Sequence, residues 1–209
     1  MTFKQVFRLT VGIILFSIGI VCTVQANLGV APWDTLHQGL SKHSGLTFGQ
    51  VSIFVGLSIV AINILLKELV GLGTVVNIVL IGLIVDALFT TGIIPEMTTF
   101  LGGLVMLVIG MFILALGSYY YIGAGLGTGP RDGLMVALVK KTGKPVGLIR
   151  GAIEGAVLIL GYLLGGSIGI GTLILALGIG PIVQWVFGLL SFDVAAVEHQ
   201  VIFPRQKAV

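Results

Sequence analysis

The chain has 209 residues, 56% of them hydrophobic and only 9% charged, with a mean hydropathy of +1.16. Soluble domains carry roughly 25% charged residues, so this composition excludes an ordinary soluble fold and points to a polytopic protein embedded in the lipid bilayer. The formal charge of +3 gives no reason to expect nucleic acid as a partner, because Lys and Arg in such a protein chiefly report orientation.

The first apolar run covers residues 7–25, close to the ~20 residues a helix needs to cross a bilayer. Lys4 and Arg8 before it and Val24-Gln25-Ala26 after it imitate a cleaved signal peptide. Its counterpart, Leu101 to Ala124, is internal and cannot be removed, so a retained span is expected. A Gly-rich stretch follows, then a short segment at 32–43 that begins Pro32-Trp33-Asp34. Spans are expected at 48–66 and 72–93. A fourth run, 101–122, leads through a second Gly-rich stretch to a second short segment at 130–142, and spans at 146–164 and 172–190 complete the set. A dozen helical residues rise less than ~20 Å, too little for a ~30 Å hydrocarbon core. The short segments must therefore return the chain to the side it came from, either by dipping into the membrane or by lying flat on it.

These elements repeat. Ala26-Asn27-Leu28-Gly29-Val30-Ala31-Pro32-Trp33-Asp34 is echoed by Ala124-Gly125-Leu126-Gly127-Thr128-Gly129-Pro130-Arg131-Asp132 at an offset of about 98 residues. The offset also pairs Gly12 with Gly110, Gly19 with Gly117, Gly49 with Gly147, Gly73-Thr74 with Gly171-Thr172 and Gly82 with Gly180. Three crossings per copy is an odd number, so the second copy must sit inverted. With the N-terminus inside, Lys4, Arg8, Lys67, Arg131, Lys140, Lys141, Lys144, Arg150, Arg205 and Lys207 all fall at or near the cytoplasmic side; Lys42 alone falls outside. The expected architecture is all-α: six transmembrane helices in two inverted three-helix repeats, residues 1–98 and 99–191, each with a short re-entrant or interfacial helix. A cytoplasmic tail, residues 192–209, follows.

Pro32-Trp33-Asp34-Thr35-Leu36-His37-Gln38-Gly39-Leu40 and Gly127-Thr128-Gly129-Pro130-Arg131-Asp132-Gly133-Leu134-Met135 resemble the two signature stretches of the YczE/YitT-like bacterial membrane proteins. Arg150 with Glu154, and Gly169-Ile170-Gly171-Thr172, also resemble that family's pattern. The resemblance implies a small bacterial inner-membrane protein and no particular activity.

Residues able to carry chemistry are few. Pro32 and Pro130 suit the first helical turn, and Asp34 and Asp132 place negative charge at the positive end of the helix dipole. Gly29, Gly127 and Gly129 permit unwound backbone, tolerated at membrane depth only inside protein or beside a polar cavity. Read structurally, the two aspartates orient short helices and Arg131 anchors topology. Read functionally, two half-helix N-termini converge on a solute or ion, as in inverted-repeat transporters. Asp86, Arg150 and Glu154 are charges within spans and are expected to face the bundle interior. Arg150 and Glu154 can pair at four residues' separation, while Asp86, with no partner nearby in sequence, is favoured over Glu154 as a protonatable group. Gln184 is the repeat-mate of Asp86. His37 lies within reach of Asp34, but His37, His43 and His199 have no metal-ligand spacing. Gly151-x-x-x-Gly155 and Gly161-x-x-x-Gly165 are expected to pack helices, and Tyr119–Tyr121 to sit at the headgroup level.

A secondary transporter or facilitator of a small polar or anionic solute, with protons as a candidate coupling ion, is the leading expectation. Asp34, His37, Asp86, Arg131, Asp132, Arg150, Glu154 and Gln184 would line its pathway. The alternative is a non-transporting accessory or assembly protein acting with a membrane partner or as a homo-oligomer. The chain shows no metal motif, no Ser/His/Asp arrangement and no nucleotide-binding βαβ unit, so neither an enzyme nor a cofactor is expected.

Overall fold

The computed structural model describes residues 2–68, 70–127, 129–193 and 197. These contain eight helices and no strand: α1 (Phe3–Gln25), α2 (Pro32–Ser44), α3 (Phe48–Leu65), α4 (Leu72–Thr91), α5 (Phe100–Ile122), α6 (Pro130–Thr142), α7 (Val146–Leu163) and α8 (Ile170–Leu189). All but α2 and α6 are long and apolar enough to cross a membrane. The chain is thus an all-helical membrane protein with six spans. α1 starts four residues before the apolar run, because Thr2 and Gln5 close a capping box around its first turn. Thr47 and Gln50 cap α3 in the same way. Of the expected tail, only residues 192, 193 and 197 are described; His199, Arg205 and Lys207 lie outside the described residues, as does Thr128.

The bundle is built on α1 and α5. Gly12 rests on the backbone of Tyr121, Gly19 on that of Leu114, Gly110 on Thr23 and Gly117 on the backbone of Phe16, and a Cβ at any of the four would collide. Without water to drive association, such close approach maximises van der Waals contact. The contacts also correspond: 12 with 121 becomes 110 with 23 when 98 is added or subtracted, and 19 with 114 becomes 117 with 16.

The same exchange holds around the unwound stretches. Gly29, at φ +96°, lies on Gly169 and Thr172; Gly127, at φ +134°, lies on Gly71 and Thr74. Only glycine combines that backbone region with that proximity. Gly171 N–H donates to Leu28 O at 2.7 Å, and Gly73 N–H to Leu126 O at 2.8 Å. Gly161 packs on Thr35 and Leu36, and Asn63, its mate, on Gly133. The offset therefore relates contacts as well as residue types.

In one place it does not. α3 packs along α4, with Gly49 against the Gly82 carbonyl and Asp86, Gly82 against Ile53, and Gly56 against Ile78. The equivalent pair, α7 and α8, has almost no contact, and Gly147, Gly151, Gly155 and Gly180 have no neighbour within 4 Å. The expected packing role of Gly151 and Gly155 is thus overturned, because the helix they would face stands away.

Candidate functional site: a cavity between the short helices

α2 and α6 run in opposite directions from a common centre. Each starts with Pro at its first position and ends at a left-handed glycine, Gly45 (φ 70°) or Gly143 (φ 67°), the usual stop for a helix that must turn sharply. Lys42, in the last turn of α2, donates to the Gly165 carbonyl just beyond α7. Gln38 accepts from Ser167 N–H at 3.0 Å. Lys140, in the last turn of α6, pairs at 2.6 Å with Glu68, just beyond α3. Those anchor points lie at opposite ends of the bundle, since α2 leads into α3 and α6 leads into α7.

The first turns meet inside. The Arg131 guanidinium lies over the Trp33 ring, 4.7 Å from its centroid, in a cation–π contact. Of the two dispositions open to the short segments, the structure shows them entering the bundle rather than lying flat. Arg131 is the second residue of α6 and follows the helix start inward. Trp33 and Arg131 are repeat-mates, so the pairing that met at the centre was latent in the 98-residue offset.

Around this contact is a cavity of about 560 Å³, walled by α3 and α4 on one side and by α7 and α8 on the other, and floored by α1 and α5. Asp34, His37, Gly129, Pro130, Arg131, Asp132, Arg150, Glu154 and Gln184 line it. His37 is 3% exposed; among the described residues neither ring nitrogen is within hydrogen-bonding distance of a partner, and the Asp34 Oδ1 is 3.6 Å from Nδ1. The edge of its ring faces Phe48, centroids 5.5 Å apart. Arg150 Nε bonds Glu154 Oε1 at 3.0 Å, with both side chains partly exposed. Arg131 and Asp132 are open to the cavity, and neither forms an ion pair or hydrogen bond with another described residue.

Asp86 stands apart. Its carboxylate accepts from Thr47 Oγ1 and, at 2.7 Å, from Gly49 N–H. It caps the start of α3 at the closed α3–α4 seam and does not line the cavity. Its partners lie 37 and 39 residues away in sequence, which is why it looked alone. Gly29 and Gly127 serve as the crossing points described above, one step removed from the cavity.

Sequence reasoning gave Trp33, Asn63 and Asn77 no role and did not place Tyr121 at the site. Asn63 donates to the Pro130 carbonyl at 2.8 Å and so holds the start of α6. Asn77 and Tyr121 line the cavity and are each 8% exposed. Tyr121 was expected at the headgroup level; its close fit to Gly12 turns it into the bundle instead.

The model of a family of unknown function, DUF6198, matches residues 3–187, from the start of α1 to the last turn of α8. The chain belongs to that family. It is 36% identical over 176 residues to the uncharacterized membrane protein YczE of Bacillus subtilis, an alignment covering 83% of this chain and 81% of that protein. It is 32% identical over 187 residues to an uncharacterized protein of Haemophilus influenzae, covering 87% and 85%. Against the uncharacterized protein YyaS of Bacillus subtilis it is 29% identical over 167 residues, covering 78% and 83%. The YczE-like character of the two signature stretches is thereby established across the membrane-spanning part of this DUF6198 chain. No solved structure matches it.

Proposed function

We propose that the protein is a secondary carrier of a small polar solute in a bacterial inner membrane, built as two inverted three-span units with both termini cytoplasmic. The observation that carries this reading is the broken equivalence: two helix pairs of like sequence flank one cavity, and one pair is shut while the other is open. Gly49 touches Gly82, yet their mates Gly147 and Gly180 touch nothing. On this reading the chain, which repeats the glycines of the seam at both places, has a second state in which the seams trade places. In the proposed orientation the shut seam lies toward the outside and the open one toward the cytoplasm, so the trade carries the cavity from one face of the membrane to the other. Pro181, inside α8 beside Gly180, removes a backbone hydrogen bond where α8 has to move. Energy would come from a gradient, with Asp86 or Glu154 as the group that takes up a proton.

The test is a cross-link. Gly147→Cys with Gly180→Cys, in a Cys22→Ser background, should be joined by a short bifunctional thiol reagent in membrane vesicles, although the two sites do not touch in this structure. Glu68→Cys with Lys140→Cys serves as the positive control. Failure of the first pair alongside capture of the second would refute the exchange.

The accessory-protein reading draws on the same uncovered glycines, since a partner's helix packs well on such a face. In that case the gap is filled by the partner, the 147–180 cross-link does not form, and the protein purifies with a stoichiometric companion.

A further inference from the structure

The cavity's charges point to the class of its occupant. Five charged side chains line it, two guanidinium groups and three carboxylates. Arg150 and Glu154 satisfy each other at 3.0 Å, and Asp34 has His37 beside it at 3.6 Å. Arg131 and Asp132 remain, adjacent in the first turn of α6, both open to the cavity and without an ion pair among the described residues. Arg131 also lies over the Trp33 ring, and both side chains are exposed to the cavity, so their polar edges are free to meet a solute of matching charge.

A simple anion would suit Arg131 but would add negative charge to a cavity that already holds more carboxylates than guanidinium groups. A simple cation would suit Asp132 and leave Arg131 without an acceptor. A molecule with both signs close together answers both, its carboxylate taking the planar fork of Arg131 and its ammonium group resting on Asp132. His37, buried with its Nδ1 beside Asp34, offers its other ring nitrogen as a further donor or acceptor. The rest of the wall is largely apolar, with Phe16, Val55, Ile78 and Val183 among its residues, so it suits an apolar body better than a polar one.

We propose that the cavity binds a small zwitterion, an α-amino acid with an apolar side chain. This deepens the carrier reading and takes from it only that the cavity is the solute site; it replaces a simple anion as the expected solute.

Purified protein in detergent would be titrated, by calorimetry and thermal shift, with two matched series. One is leucine, 3-methylbutylamine and 4-methylpentanoate; the other is phenylalanine, 2-phenylethylamine and 3-phenylpropanoate. The expected result is that at least one amino acid binds tenfold or more tighter than both its amine and its acid analogue. Arg131→Gln should erase its advantage over the amine, and Asp132→Asn its advantage over the acid. Thermal shift on the variants without ligand checks that they fold. An amine or an acid that binds as well as its parent amino acid, or no binding in either series, overturns the zwitterion assignment. The 147–180 cross-link is independent of these titrations, so a cross-link without amino-acid binding removes only this inference. Binding without a cross-link removes only the exchange of states.

Discussion

The seam between α3 and α4 offers a direct way to bias the protein between its two states. At Gly49 an added Cβ would run into the Gly82 carbonyl and the Asp86 carboxylate, neither of which is the free end of a flexible side chain. Overpacking of this kind costs about 1–3 kcal/mol. At Gly147, its mate, an added methyl meets nothing within 4 Å and costs this state almost nothing. Gly49→Ala should therefore weaken the observed state relative to one with α3 and α4 apart, by about 5- to 150-fold in population. Gly147→Ala should have the opposite sign, penalising only the state in which α7 and α8 close. The assay is the labelling rate of Gln184→Cys, in the open wall of the cavity, by a membrane-impermeant maleimide in inside-out vesicles carrying a Cys22→Ser background. Gly49→Ala should slow labelling and Gly147→Ala should leave it unchanged or speed it. Equal effects of the two alanines, in either direction, would refute the two-seam reasoning.

Asp86→Asn mimics a protonated Asp86 and weakens two hydrogen bonds to a charged acceptor, so it should cost the closed seam about 1 kcal/mol and slow the same labelling while leaving ligand titrations unchanged. Gly19→Val would drive a branched side chain into the backbone of Leu114; about 3 kcal/mol or more is expected, visible as loss of the monodisperse peak in size-exclusion chromatography. Lys140→Gln removes an ion pair in which the lysine is half-exposed, and its effect on the melting temperature should be small, corresponding to less than about 1 kcal/mol.

The six spans and the two short helices were legible because the bilayer imposes a length scale that apolar runs report directly. The 98-residue offset was legible because tight crossings demand glycine, and glycine at Gly12, Gly19, Gly29 and their mates leaves a countable trace. The state of the molecule was not. Gly49 and Gly147 are the same residue in the same kind of helix, yet one is pressed against a carbonyl and the other is bare. The glycines themselves do not distinguish the seams; the residues around them do, since Thr47 and Asp86 hold the first where Pro145 and Gln184 stand in the second. Asp86 looked unpartnered for a related reason: a cap on a neighbouring helix start is a contact across 37 residues, invisible to reasoning confined to one turn. Trp33 was given no role of its own, although its mate Arg131 had been marked.

The crossing loops carry a consequence for biosynthesis. Leu28 receives its hydrogen bond from Gly171, and Leu126 receives its own from Gly73, so each half's broken segment is completed by the other half's final span. When residues 1–98 have left the ribosome, the segment at Gly29 has nothing to close on until α8 (Ile170–Leu189) is synthesised. Each half is therefore expected to need the other to mature, and fragments split in the 92–99 loop should regain a folded complex only when translated in the same cell.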